Sequence, residues 1–312
     1  MNKKYLTPQN LNEVISLYEQ YSTSAKYIAG GTDLIMHYKQ KNITNDVFID
    51  ISNIEELKSI QVNNNELIIG AGVTLNTIIT HPLIIEYYPI LKEAARSIAS
   101  PVIRFNATIG GNLLCENRCV FYDQTEWWRN SIGRCLKCEG DVCIATGGRK
   151  NCFSKSSSDM APVLLACDAK LTILSTHSKT KETKNLSEIY SGDGISPHRL
   201  KSGDLIVSIH LPLVKCKEYY YYKLRQRQSL DFSSLTIAAV KSNNVLKIGL
   251  GSVDPAPIIW EYYLNTDLVF SEWLSNKIKK VRIVDNDFFS REYRKQILQI
   301  QLENFYKKIT NE

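Results

Sequence analysis

Six of the eight cysteines in this 312-residue chain fall within 38 positions, from Cys115 to Cys152; Cys167 and Cys216 stand apart. Thiolates at that density suit either tetrahedral zinc or an iron–sulfur cluster. A structural zinc site commonly uses two close pairs, and only Cys135/Cys138 has C-x2-C spacing here. Widely spread single cysteines leave room for a larger cluster, and spacing alone leaves zinc open. The N-terminal stretch MNKKYLTPQNLNEVISLYEQY carries no apolar signal core, and no run of about 18 apolar residues follows. The chain is therefore expected in the cytoplasm, where thiols stay reduced and clustered cysteines bind metal more often than they form disulfides.

Two glycine pairs are the second chemical signal, AGGTDL at 29–34 and TIGGN at 108–112. Adjacent glycines let backbone N–H groups converge with no Cβ in the way, a geometry that can cradle a pyrophosphate. A helix starting near Thr32 would add its positive end. Neither segment fits G-x-G-x-x-G or the P-loop pattern, and each alone reads as a tight turn. Together, with Thr32, Asp33 and Asn112 beside them, they form a candidate bipartite phosphate site. His37, His81, His177, His198 and His210 are dispersed without metal or triad spacing, and no G-x-S-x-G elbow occurs. The chain shows no apparatus of its own for acyl, glycosyl or phosphoryl transfer, so its chemistry has to come from cofactors.

The elements that must position these residues read as α+β. A length of 312 residues predicts two or three domains, and 44% hydrophobic residues suffice for real cores. The net charge of +6 is spread among acidic residues, which excludes a nucleic-acid arm. Leu11, Val14, Ile15 and Tyr18 have helical spacing, as does the stretch from Ile84 to Ile98. VFIDI, ELIIGAGVTL and GDLIVSIHLPL read as strands, the last ending at a boundary near Pro212. SDMAPVLLACDAKLTIL predicts a short helix and a strand, and Asn243-Asn244 a hairpin turn. A long C-terminal helix would bury Ile297, Ile300, Leu302 and Phe305. Cys167 and Cys216 read as buried small hydrophobes, and Trp127 and Trp128 as packing the cysteine segment against the body.

AGGTDLI, TIGGN, SDMAPVLLACDA and EYRKQI, in that order and at matching separations, resemble the FAD-binding medium subunits of the molybdenum hydroxylases, the xanthine dehydrogenase and carbon monoxide dehydrogenase family. The resemblance spans nearly the whole chain. It implies a vanillyl-alcohol-oxidase (PCMH)-type FAD-binding fold over 1–214, with subdomains about 1–55 and 56–214. A C-terminal α+β domain would follow over 215–312. It also implies that Ala29, Gly30, Gly31, Thr32, Asp33 and Leu34, with Thr108, Ile109, Gly110, Gly111 and Asn112, wrap the FAD pyrophosphate. Asp159 would hydrogen-bond the cofactor, and Lys223 would lie near the flavin ring.

The cysteine segment, about 115–153, is an insertion relative to ordinary members of the family. It resembles the insertion of the 4-hydroxybenzoyl-CoA reductase β subunit, which carries a [4Fe–4S] cluster on four cysteines stepped by 16, 8 and 9. Cys119, Cys135, Cys143 and Cys152 reproduce those steps, leaving Cys115 and Cys138 as spares. The resemblance implies partner subunits: a large one with molybdopterin and substrate, and a small one with two [2Fe–2S] clusters, in a dimer of heterotrimers. A ferredoxin-like donor would deliver electrons through this chain for reductive dehydroxylation of 4-hydroxybenzoyl-CoA to benzoyl-CoA. The alternative is the FAD subunit of an oxidative xanthine, aldehyde or CO dehydrogenase-type hydroxylase.

Overall fold

A computed structural model describes residues 3–40 and 42–310. The chain opens with β1 (Lys4–Leu6), α1 (Leu11–Tyr21), β2 (Ala25–Ile28), α2 (Leu34–Lys39) and β3 (Val47–Asp50). The strands form a small parallel sheet in the order β1-β3-β2. Asn10 starts α1 by accepting from the Glu13 N–H, and the helix buries the expected Leu11, Val14, Ile15 and Tyr18. The second helix begins at Leu34, two residues later than predicted, because residues 30–33 remain an open loop.

Next come β4 (Ile60–Asn63), β5 (Glu66–Gly70), α3 (Leu75–Thr80), α4 (Pro82–Tyr87) and α5 (Pro89–Ser97). The helical stretch predicted over 84–98 is thus two helices, each opened by a proline at its first position. Then follow α6 (Pro101–Arg104), α7 (Ile109–Leu113), α8 (Glu126–Ile132), α9 (Met160–Ala166), β6 (Lys170–Ser175), β7 (Thr180–Asn185) and β8 (Leu205–Pro212). An antiparallel sheet runs β4-β5-β8-β6-β7, so β8 returns across a long stretch of chain to pair with β5. β8 serves two cores, its facing changing across the register shift that skips Val207 in its pairing with β6. Ile206, Ile209 and Leu211 join the core with α3, α5 and α9, while Leu205 and Val207 join the core of the small parallel sheet.

The last third is a four-stranded antiparallel sheet of β9 (Glu218–Leu224), β10 (Leu235–Ser242), β11 (Val245–Gly251) and β12 (Ile258–Tyr263), in the order β12-β11-β10-β9. The predicted hairpin joins β10 to β11, with Asn243 at a φ of 52° that asparagine tolerates. One sheet face packs against α10 (Phe270–Lys280) and α11 (Arg291–Thr310). The other meets α9, which is buried along its whole length. Gly249 permits that meeting: a Cβ there would stand 1.9 Å from the Pro162 carbonyl oxygen.

The buried face of α11 differs from expectation. Arg294, Leu298, Leu302 and Phe305 are buried, and Ile300 is 48% exposed. Four-residue steps from Arg294 set the stripe, and the arginine holds it by donating to the Val284 carbonyl at 2.5 Å. Leu302→Ala should therefore lower stability by about 2–5 kcal/mol, and Ile300→Ala by no more than about 0.5 kcal/mol. Equal losses in thermal or denaturant unfolding would contradict this helix orientation.

Candidate cofactor sites: a glycine loop and a cysteine cavity

The two glycine pairs play different parts. In the first, Gly31 takes a φ of 67°. The N–H groups of Gly30, Gly31, Thr32, Asp33 and Leu34 donate to no protein acceptor among the described residues. Such a run of free N–H groups is a ready anion cradle. The second pair is not a turn but lies inside α7. Thr108 caps that helix by accepting the Gly111 N–H at 3.1 Å, and the Gly110 N–H is spent on the Ala71 carbonyl at 2.9 Å.

The glycines of the second segment serve close packing instead. A Cβ on Gly110 would meet that of Ala71 at 2.7 Å, and one on Gly30 would stand 1.8 Å from the Asn106 carbonyl oxygen. Segment 106–112 is thus the bed on which the first loop rests. Asn112 fixes the bed, its Oδ1 accepting from Ser158 Oγ at 2.9 Å and from the Met160 N–H at 3.1 Å. Exposed apolar side chains stand around the loop: Val102 and Phe105 beside Asn106, and Phe232 3.7 Å from the Arg118 guanidinium. Free amides beside an exposed apolar surface fit a molecule with both a phosphate and a flat ring system.

Asp159 and Lys223 meet each other. Lys223 Nζ donates to Asp159 Oδ2 at 2.6 Å, with side-chain exposures of 4% and 5%. Thr236 Oγ1 donates to Asp159 Oδ1 at 2.9 Å, and the lysine also reaches the Ser97 carbonyl at 3.2 Å. Arg225 donates to the same carbonyl, so the end of β9 is tied to the end of α5, next to the apolar rim.

Cys119, Cys135, Cys143 and Cys152 line one small cavity, with Tyr122, Lys137 and Ser154 in its wall. All eight cysteines are free thiols. Among the described residues no three His, Cys, Asp or Glu side chains stand close enough to hold a single metal ion. The four cysteines surround a space rather than a point, which suits a multi-iron cluster better than one tetrahedral zinc. Burial pushes Cys119 up to about 12 and also raises Cys152. Cys138 lies 3.8 Å from Cys135, and its S–H supports thiolate character on Cys135. The Cys152 S–H donates to Ser154 Oγ at 3.3 Å, and Cys152 Sγ accepts the Ser154 N–H at 3.4 Å. Of the spares, Cys138 adjoins the set, while Cys115 is outside the lining. Cys167 and Cys216 are buried, as expected. Trp127 departs from expectation, being 75% exposed on α8, while its neighbour Trp128 is half-buried.

Several site-building residues carried no sequence signal. Arg118 binds Asp33 Oδ1 at 2.9 Å and Asp123 Oδ1 at 3.3 Å, linking the glycine loop to the cysteine segment. Burial alone would raise the Asp33 carboxyl; the nearby His37 ring, Arg118 and the Glu116 N–H outweigh it and hold the group low. Lys155 forms a buried pair with Asp287 and donates to the Ser233 carbonyl at 2.6 Å. These contacts join residues far apart in sequence, and nothing local announces them.

Residues 1–214 match the family described as the FAD binding domain in molybdopterin dehydrogenase. The aldehyde oxidoreductase FAD-binding subunit of Escherichia coli is 31% identical over 252 residues, covering 78% of this chain and 79% of that one. The nicotinate dehydrogenase FAD-subunit of Eubacterium barkeri is 40% identical over 111 residues, 35% of this chain and 38% of that one. The fold matches that of carbon monoxide dehydrogenase from Hydrogenophaga pseudoflava with a TM-score of 0.74 at 20% identity, covering 97% of this chain and 96% of that one. The fold and site define a flavoprotein component of an oxidoreductase. The chain belongs to the FAD-binding subunits of the molybdenum hydroxylase family.

Two outcomes test this geometry. Gly30→Ala forces a Cβ into the Asn106 carbonyl, so loop and bed must separate, at about 1–3 kcal/mol. Flavin per chain, read by absorbance, should fall severalfold; full occupancy would place the cofactor elsewhere. His198, which tilts against Tyr190 at 5.7 Å, gives a pH signature. Burial pushes its imidazole down to about 4, Glu116 pulling up and Lys137 and Lys26 pushing down. The unfolded chain binds this proton near pH 6.5 and the folded chain only near 4, so stability falls as pH drops across that window. The slope should reach about 1.4 kcal/mol per pH unit, and His198→Gln should flatten it in Tm measured against pH.

Proposed function

We propose that this chain is the electron-transfer subunit of a molybdenum-containing oxidoreductase, carrying FAD and one [4Fe–4S] cluster. One observation carries the reading: four cysteines stepped by 16, 8 and 9 surround a single cavity within an FAD-binding domain of this family. FAD and an iron–sulfur cluster supply redox chemistry by two-electron and one-electron steps. The chain's own residues hold and orient them.

In this reading the free N–H groups of Gly30, Gly31, Thr32, Asp33 and Leu34 bind the pyrophosphate, with Ala29 leading into the loop. Thr108, Ile109, Gly110, Gly111 and Asn112 form the bed that keeps the loop in place. Asp159 and Lys223 hold the sheet edge against the ring-binding side. Cys119, Cys135, Cys143 and Cys152 are the cluster ligands. The cofactor domain covers 1–214, its subdomains 1–55 and 56–214 and its insertion 115–153, and 215–312 is the second domain. The partners are a large molybdopterin subunit that holds the substrate and a small subunit with two [2Fe–2S] clusters, in a dimer of heterotrimers. Carbon monoxide dehydrogenase relatives named medium chains support that arrangement.

The relatives are named for dehydrogenation and aldehyde oxidation, which favours electrons leaving through this subunit. The cysteine spacing favours the second reading, in which a ferredoxin-like donor feeds electrons inward for dehydroxylation of 4-hydroxybenzoyl-CoA. Metal, sulfide and flavin analysis of the anaerobically purified complex tests both cofactors. The expected result is about four iron and four sulfide on this chain, with one flavin and a paramagnetic signal after dithionite. Cys143→Ser should strip the iron and spare the flavin; zinc in place of iron would sink the cluster reading. Direction follows from turnover: aldehyde oxidation with a dye acceptor upholds outward flow, and benzoyl-CoA from dithionite-reduced enzyme overturns it.

A further inference from the structure

We propose that Lys137, through its pair with Glu116, sets the reduction potential of the centre held by Cys119, Cys135, Cys143 and Cys152. The inference rests on the cluster reading above. Lys137 follows Cys135 by two residues, in the short turn Leu136–Cys138, and lines the cysteine cavity. Its side chain is only 4% exposed. The ammonium donates to Glu116 Oε1 at 2.5 Å and to the Gly194 carbonyl, and lies 5.0 Å from the centre of the Tyr122 ring. Gly194 is pressed against a ligand: a Cβ on it would stand 2.8 Å from Cys152 Sγ. The charge is therefore separated from a ligand sulfur by one peptide group.

Taking an ammonium out of water costs several kcal/mol, and an apolar side chain of similar volume closes a cavity wall at no such cost. A buried lysine does something an apolar residue cannot: it places a fixed positive charge where reduction adds a negative one. In the reaction one electron enters the iron centre, from dithionite in a titration or from the flavin in the enzyme. No bond forms or breaks and no proton is needed, and the cavity gains one unit of negative charge. At these distances, in a medium less polarisable than water, that charge interacts strongly with the ammonium. Lys137 favours the reduced form, and Glu116 on the outer side of the ammonium opposes it. Among nearby charges, Arg129 spends its guanidinium on the carbonyls of Tyr122 and Gln124, and Arg118 is spent on Asp33 and Asp123. Lys137 is thus the cation held in the cavity wall itself.

The test is a paramagnetic-resonance redox titration of the full chain, purified anaerobically with its partner subunits. K137M should move the midpoint to more negative potential. At the wild-type midpoint the ratio of reduced to oxidised centres should fall about tenfold, which is ~59 mV for a one-electron couple. K137R should stay near wild type, and E116Q should move the other way. Opposite signs separate electrostatics from loosened packing. An unmoved midpoint in K137M with full iron content, or shifts of the same sign in K137M and E116Q, overturns the inference. If K137M loses its iron, E116Q decides alone: a positive shift upholds the inference, and no shift or a negative one overturns it. A wild-type chain without iron defeats the cluster reading itself, and the inference with it, before any variant is made.

Discussion

The buried ion pair between Asp159 and Lys223 is the constraint on which the rest of this molecule is hung. Both charges have left water, so the pair is tolerable only because its hydrogen-bonding capacity is used, by Thr236 on the carboxylate and by the Ser97 carbonyl on the ammonium. Asp159 stands at the head of α9, a helix with no exposed face, between the core of the five-stranded sheet and the four-stranded sheet. The pair therefore fixes how β9 and β10 meet that helix. Removing one partner would leave a bare charge inside, a penalty of about 3–5 kcal/mol. From the same helix head, Ser158 and Met160 hold Asn112, and segment 106–112 then supports the first glycine loop. The position of the first glycine loop traces back to this buried contact.

The cysteine segment is a different kind of structure. It holds one seven-residue helix and a handful of buried side chains, too little apolar surface to order about 38 residues by itself. Its neck is fastened by other means. Arg118 and Lys155 pair as a short antiparallel bridge, and Asn117 donates to the carbonyls of Ser154 and Pro255. Asn286 donates to the Phe153 carbonyl at 2.7 Å. Lys155 is buried against Asp287, which also accepts from Ser234 at 2.6 Å. The polar groups of the neck are thus answered from the last third of the chain. Beyond the neck, the loops order themselves around the cavity, where metal–thiolate bonds would supply the stabilisation that packing does not.

Periodicity made the amphipathic elements readable: α1, β8 and the β10–β11 hairpin all follow from apolar spacing and turn residues. The failures are physical rather than random. The second glycine pair reads as a turn because glycine breaks helices, yet Thr108 caps a short helix there and the missing Cβ atoms allow contact with Ala71. The strand β7, sequence TKETKN, is an edge strand exposed along its length, so it carries no apolar alternation, and its lysines suit an unpaired edge. In α11 the expected face was displaced because a buried arginine, not an isoleucine, sets the stripe. The cysteine spacing pointed to the four residues that line one cavity, but the polar fastening of the segment's neck was not legible. Several of those contacts pair residues more than 100 positions apart, such as Lys155 with Asp287, and are specified only by the finished fold.

Asp33 belongs to the glycine loop, and Arg118 ties it to Asp123. Asp123 in turn accepts the N–H of Cys119 at 2.8 Å. The Glu116 N–H also donates to Asp33, at 3.1 Å. The glycine loop and a cysteine of the cavity are thereby joined through one guanidinium and two carboxylates, with Phe232 stacked on the guanidinium. Electron transfer between two centres depends steeply on their separation, and under the proposed function this linkage would fix that separation locally rather than leave it to the packing of distant domains. The same linkage couples order: a loop pulled out of place by a missing cofactor would take the Arg118 partner with it and loosen the backbone at Cys119. Under the proposed function, the pairing of Asp33 with Arg118 accounts for an acidic residue inside a loop that would bind an anion. Its charge is already neutralised, and it serves the cysteine segment instead.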